Sequence, residues 1–211
     1  MNNINRIISF FDELYPDAYC ELNYKYDYEL LIAIVLSAQT TDKRVNVVTK
    51  KLFDKYNTIY ELADASLEDL ENIIRELGTY KKKSVFVKEI ASRIVNDCNG
   101  KVVADRKYLE SLPGVGRKTV NVFFAEYYKI PAFAVDTHVN RVSKRLNLVT
   151  ESASVLDVEN KLKTLIPKDR WIKSHHQFIF FGRYFCKAIS PNCSKCKLCD
   201  ICSYYKSKRD N

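Results

Sequence analysis

Only five glycines punctuate 211 residues, and between them apolar residues recur three and four apart nearly throughout. So few turn residues cannot supply the loops of a hairpin-rich β protein. The spacing predicts an all-α fold of roughly ten helices with no strand. Val45, Val48 and Leu52 form one stripe behind Thr41-Asp42, a pair suited to capping a helix start. Ser66-Leu-Glu-Asp69 has capping-box spacing, and Leu70, Ile73, Ile74 and Leu77 carry a stripe to Gly78. Ile90, Ile94 and Val95 run toward Gly100. Both glycines read as C-terminal caps. Asp105 caps a short helix ending at Leu112, and Val120, Phe123, Phe124 and Tyr127 mark the next. Val139, Val142 and Leu146 follow Asp136-Thr137, and Val155, Val158, Leu162 and Leu165 precede Pro167. No repeat or low-complexity linker interrupts the pattern, so a second domain is expected to pack closely on the first.

The 34 Lys and Arg outnumber the 26 Asp and Glu, for a net charge of +8 and a pI near 9.0. That balance suits a polyanionic partner and says nothing about fold. Leu30–Leu36, the longest strongly apolar run, is far too short to span a membrane. Met1–Pro16 carries Arg6, Asp12 and Glu13 and no small-residue cleavage site, unlike a secretory signal.

Leu112-Pro113-Gly114-Val115-Gly116 joins two helices, the second opening Arg117-Lys118-Thr119. Two glycines one residue apart allow a tight backbone with no Cβ in a ligand's way. The next helix then offers unpaired N–H groups at its positive end, an anion site that can hold a phosphate without reading a base. On spacing alone an ordinary tight turn fits as well. The overall charge, Lys81-Lys82-Lys83 and the Lys206-Ser-Lys208-Arg209 tail favour DNA, although each run alone reads as a solvated face. Lys118 lies where the helix dipole disfavours an ammonium, and partial burial would further favour a neutral, nucleophilic amine. Read alone it is a surface lysine, and Asp136 reads alone as a helix N-cap.

Five of the seven cysteines fall within Cys186–Cys202. Such crowding points to a metal site in a reducing, intracellular compartment rather than a disulfide scaffold. Spacing alone divides evenly between zinc and an iron–sulfur cluster. Either would staple a loop-rich tail. Cys20 and Cys98 stand apart and are expected to be buried, inert thiols.

Ser37-Ala-Gln39-Thr-Thr-Asp42, Leu112-Pro-Gly-Val-Gly-Arg-Lys-Thr119, Ala134-Val-Asp-Thr-His-Val-Asn-Arg-Val142 and Cys186-x6-Cys193-x2-Cys196-x5-Cys202, in this order, closely resemble the endonuclease III family. These are bifunctional DNA glycosylases of base excision repair, in the helix–hairpin–helix superfamily. The resemblance runs from Glu21-Leu22 to Cys202. It implies two all-α lobes, with residues 22–130 forming a helical barrel domain that carries the hairpin. Residues 1–21 with 131–211 would form the cluster domain, and DNA would lie in the cleft between lobes. The implied reaction removes an oxidised pyrimidine such as thymine glycol from duplex DNA. Lys118 attacks C1′ of the flipped-out nucleotide, and strand cleavage follows by β-elimination through a Schiff base. Asp136 is implied to stabilise positive charge on the sugar and to assist proton transfer. Cys186, Cys193, Cys196 and Cys202 are implied to hold a [4Fe–4S] cluster. Leu112, Gly114, Gly116 and Arg117 of the hairpin, with Gln39, His138 and Lys187, are implied to meet DNA, Gln39 entering the gap left by the flipped nucleotide. The protein would act as a monomer, in the cytoplasm or nucleoid.

Three positions depart from the family pattern. Cys199 divides the last gap, so a ferredoxin-like set using it stays open, with Cys199 read as a non-ligand. Thr79, just before Tyr80, is small where the family often has an apolar wedge, which leaves the preferred opposite base open. Lys187 is alone between Cys186 and Cys193, where several basic residues are common. Two rival readings are a hydrolytic mismatch or alkylation glycosylase, against which Lys118 speaks, and a non-catalytic DNA-binding module with structural zinc.

Overall fold

The structure, a computed structural model, describes residues 3–209. Among the described residues there are twelve α-helices and no strand. In chain order these are α1 (Asn3–Leu14), α2 (Asp27–Leu36), α3 (Asp42–Lys55), α4 (Ile59–Asp64), α5 (Leu67–Ile74), α6 (Tyr80–Cys98), α7 (Arg106–Glu110), α8 (Arg117–Glu126), α9 (Thr137–Arg145), α10 (Val155–Leu165), α11 (Trp171–Phe180) and α12 (Ser203–Arg209). The all-α expectation holds. The count exceeds ten because α4 and α12, of six and seven residues, are too short to display a stripe. No helix among the described residues is long and apolar enough to cross a membrane.

The chain divides into two compact units. Glu21–Tyr128 is one; the residues up to Cys20 with those from Lys129 onward are the other. In Glu21–Tyr128 the organising element is α2, buried from Tyr28 to Leu36. A helix apolar on every side must sit inside, and α3, α6 and α8 pack against it. The Leu30–Leu36 run is therefore the axis of a core. Helix α6 ends as predicted: Asn99 and Gly100 take φ of 50° and 79°, and the Gly100 N–H donates to Ile94 O at 3.0 Å. Gly78 is not a cap. Helix α5 stops at Ile74, and the left-handed residue is Thr79, with φ 56°. Leu77 continues the apolar stripe because it is buried, so the periodicity there follows the core and not a helix. Only half of the Ser66 box forms: the hydroxyl accepts from the Asp69 N–H, but the Asp69 carboxylate goes to Lys55 and Tyr56.

The second unit is built from segments distant in sequence. Phe11 of α1 meets Phe178 of α11 edge-on at 5.0 Å, and Phe181 lies 4.7 Å from Phe11. Val139, Val142, Leu162 and Leu198 complete the same core. Asp12 accepts from Arg170 at 2.7 Å and Gln177 at 2.9 Å, and Arg6 grips Asp200 through both guanidinium nitrogens at 2.7 and 2.9 Å. A π-helical turn, Phe181–Phe185, extends α11 into the cysteine-rich stretch.

Candidate nucleic-acid interface and cysteine loop

The hairpin is α7, the turn Ser111–Gly116, and α8. Leu109, Leu112, Val115 and Val120 are all buried and root it in the core. The Leu112 N–H donates to Leu109 O at 3.0 Å and its carbonyl accepts from Val115 at 3.2 Å, so Leu112 holds the turn together from within. Gly114 has φ +74°, and a Cβ there would come within 2.5 Å of the Phe86 ring and 3.2 Å of Val35. Packing and backbone both demand glycine at that position. Gly116 is different: a Cβ there would meet nothing of the protein. The space it leaves is open to a ligand, directly before the first turn of α8. The initial N–H groups of a helix lack intrahelical acceptors, and Gly116 has no side chain to cap them. Arg117 and Lys118 are both exposed. Lys118 sits in the first turn, before the helix enters the core, and is exposed as a surface lysine is; the protein by itself supplies none of the burial that would favour a neutral amine.

Gln39 lies in the turn between α2 and α3, exposed and with φ 57°. That left-handed backbone is costly for a residue with a side chain and collects at functional sites. Of the Lys81-Lys82-Lys83 run, Lys81 and Lys82 are exposed, whereas Lys83 is 3% exposed. Its ammonium donates to Leu36 O at 2.9 Å, Ala38 O at 2.8 Å and Thr40 Oγ1 at 3.2 Å. Lys83 therefore does not belong to a solvated basic face. Thr79 is exposed, its hydroxyl donating to Gly78 O.

Asp136 is the N-cap of α9. Its Oδ1 accepts from the His138 and Val139 N–H groups, both at 2.8 Å. Among the described residues no donor is found on Oδ2, so capping leaves one carboxylate oxygen uncommitted. His138 is half-buried, with Nδ1 3.3 Å from Arg141 Nη2 and Cβ against Gly182, where an added Cβ would sit 2.8 Å away. Burial pushes its imidazole pKa below the ordinary histidine value, against the opposing pull of the Asp136 carboxylate.

Arg141 and Arg145, one turn apart on α9, tie down the start of the cysteine loop. Arg141 donates to Gly182 O at 2.8 Å and Cys186 O at 3.2 Å. Arg145 reaches Cys186 Sγ at 3.4 Å, Lys187 O at 2.7 Å and Ala188 O at 3.0 Å, and stacks 3.9 Å over Tyr204. The sequence reading missed both roles. The available signal was two guanidinium groups four residues apart on the stripe that follows Asp136. Lys187 is exposed.

All seven cysteines are free thiols. Cys186, Cys193, Cys196, Cys199 and Cys202 together line one hollow, walled by Leu146, Phe181, Phe185 and Tyr205. Among the described residues no three His, Cys, Asp or Glu side chains are drawn together as ligands of one metal ion. Cys199 Sγ donates to Cys193 O at 3.2 Å, a bond that its neighbours in the ring do not make. Burial pushes the Cys196 thiol up to about 12, and raises Cys199 and Cys202 as well. Cys20 and Cys98 are partly exposed, not buried as expected; Cys98 continues the Ile90–Ile94 stripe of α6 but is the last residue of that helix, where the core ends.

Residues 32–168 match the model of the HhH-GPD superfamily of base excision DNA repair proteins. Endonuclease III of Bacillus subtilis strain 168 is 46% identical over 90% of this chain and 87% of its own length. A solved structure of a trapped endonuclease III–DNA covalent intermediate, in an estranged-adenine complex, superposes with a TM-score of 0.94 at 46% identity. A non-covalent endonuclease III–DNA complex gives 0.95 at 45%, and both cover all of each chain. With a glycine hairpin that opens onto an exposed lysine, an aspartate-capped helix and a ring of thiols in the family's order, the chain belongs to the endonuclease III family of HhH-GPD base excision repair proteins.

Proposed function

We propose that this protein removes oxidised or ring-fragmented pyrimidines from duplex DNA and then cleaves the strand at the resulting site. It is a bifunctional DNA glycosylase and AP lyase, and duplex DNA is its partner. The observation that carries the assignment of residues is Lys118: an exposed amine in the first turn of α8, two residues past a glycine whose missing side chain leaves room for a phosphate. DNA laid over this turn would supply the desolvation that the protein itself withholds from the lysine.

The Lys118 amine attacks C1′ of the flipped nucleotide as the C1′–N bond to the base breaks, the base leaving with the electron pair and a proton. The sugar ring opens, O4′ takes a proton, and the nitrogen and C1′ form an iminium. Loss of a C2′ proton sends its electron pair toward that iminium and expels the 3′ phosphate, cutting the strand on the 3′ side. Only an amine nucleophile permits this step, which separates this reading from the hydrolytic members of the superfamily. Asp136, with Oδ2 uncommitted, is assigned to stabilise the sugar cation and to carry protons. The hairpin's Gly114 and Gly116, with Arg117, hold a phosphate, on a turn that Leu112, its own N–H and carbonyl committed, braces from the core. Gln39 fills the gap in the duplex, and His138 and Lys187 lie toward the DNA backbone.

Cys186, Cys193, Cys196 and Cys202 are assigned as ligands of a [4Fe–4S] cluster. Five thiols on one apolar hollow fit a group held by cysteines alone, and membership of the endonuclease III family supports the cluster over zinc. The cluster would supply structural cross-linking. Cys199, whose sulfur is bonded to Cys193 O, is left outside the set. Such a protein works where the cell keeps its DNA, in the cytoplasm or nucleoid.

Borohydride trapping tests the reading, on duplexes carrying one thymine glycol, one abasic site or no damage. Covalent adducts are expected on both damaged duplexes. Lys118→Gln should lower cleavage by roughly 1,000-fold or more while duplex binding, and its steep fall with salt, persist. An adduct in the Lys118→Gln variant would show that another amine is the nucleophile.

A further inference from the structure

Lys83 is the buried member of a triple-lysine run, and its ammonium faces three neutral oxygens 43 to 47 residues away in sequence. Burying a charge is costly unless polar partners surround it. Here the carbonyls at the end of α2, the negative pole of that helix, do so. Burial accordingly pulls the Lys83 pKa below the ordinary lysine value. The gripped segment, Leu36 to Thr40, includes Gln39, the exposed residue with φ 57°. A left-handed non-glycine residue persists only where its surroundings hold it. Three residues further along α6, on the same face, Phe86 packs against Gly114 of the hairpin. One helix face thus fixes both the Gln39 turn and the phosphate turn within the same unit.

We propose that Lys83 is a positioning residue whose buried ammonium clamps the turn between α2 and α3, presenting Gln39 to the gap left by a flipped nucleotide. The inference rests on the reading of Gln39 given above. Lys83 touches no substrate, and its effect passes through the turn.

The test is single-turnover base release from a thymine-glycol duplex, alongside β-elimination on an abasic single strand, which has no gap to fill. Lys83→Met should slow duplex base release by about 10- to 100-fold, as misplacement by an ångström does, and change single-strand cleavage by no more than about two-fold. Added to Gln39→Ala it should cost nothing further, because the two act through one feature. Equal loss on both substrates, or additive losses in the double variant, would reduce Lys83 to a fold-stabilising residue and overturn the proposal. If Gln39→Ala is slow and Lys83→Met is not, the clamp is wrong and the Gln39 reading stands. A Gln39→Ala variant at full rate removes the Gln39 reading instead. Should Lys83→Met fail to fold, Thr40→Val deletes one acceptor with the lysine in place; the expected result is a smaller slowing, again non-additive with Gln39→Ala, and an unchanged rate would refute the clamp.

Discussion

Glu21–Tyr128 closes around one helix buried on every side, and several of its helices start on caps supplied by adjacent residues, such as Thr41, Thr58, Ser66 and Asp105. The other unit joins the two ends of the chain. Its first helix is held by Asp12 to Arg170, Arg6 to Asp200 and Glu13 to Lys197, and its cysteine loop hangs on Arg141 and Arg145 of α9. The first unit, too, has long-range polar ties, Lys83 to the end of α2 and Asp27 to Val102 among them, but these sit around a large apolar core. In the other, ties of this kind and a thiol ring fasten a smaller, aromatic core. The difference matches what each carries: the hairpin needs a rigid root for a turn of six residues, whereas a loop with few apolar side chains must be fastened from outside.

The comparison can be broken most directly at the thiol ring. Cys202→Ser should cost the second unit more than about 3 kcal/mol and abolish visible iron–sulfur absorbance. Hydrogen exchange should show protection lost in α9, α10 and α11 but retained in α2. Equal loss in α2 would mean that the hairpin unit also depends on the cluster. Asp136→Asn probes whether the second unit contributes chemistry or only a cap. Asparagine's oxygen can accept the same two N–H bonds, so stability should stay within about 0.5 kcal/mol while base release slows roughly 100-fold. Full activity in that variant would leave Asp136 as a cap alone.

Gly114→Ala tests the packing side. The left-handed backbone and the Phe86 ring together should destabilise the hairpin unit by about 2 kcal/mol, readable in denaturant unfolding, with the iron–sulfur absorbance unchanged. The smallest expected effect is acid sensitivity through Asp12. Burial raises its pKa, but Arg170, Gln177 and Lys173 overcome that and hold it down at about 2. A depressed carboxyl contributes stability at pH values above the ordinary 3.8 and loses it as pH falls toward 2. Asp12→Asn should therefore cost about 1 kcal/mol at neutral pH, after allowing for a partly exposed, screened pair, and nothing extra near pH 2. A cost independent of pH would attribute the effect to the lost geometry instead.

Much of both units could be read from the residues. Helical periodicity placed α3, α6, α8, α9 and α10, and Gly100 was recognised as a cap. The hairpin turn, the Asp136 cap and the crowding of the cysteines were legible in local spacing, but spacing alone left the role of each open, and only the family resemblance implied the chemistry. The end of α5 was misplaced, since Leu77 keeps the apolar rhythm through burial after the helix has stopped. The burial of Lys83 was not legible: the Lys81-Lys82-Lys83 run reads as a solvated face, yet its third member is 3% exposed.

These outcomes divide along a physical line. Local sequence determined the helices, their caps and the order of reactive groups, because backbone hydrogen bonding and side-chain period act over a few residues. Only the tertiary structure decided that Lys83 turns inward to the end of α2, that Gly114 must yield to Phe86 while Gly116 yields to nothing, and that Arg145 reaches Cys186. Those facts depend on side chains brought together from tens of residues apart, where sequence distance carries no information about spatial distance.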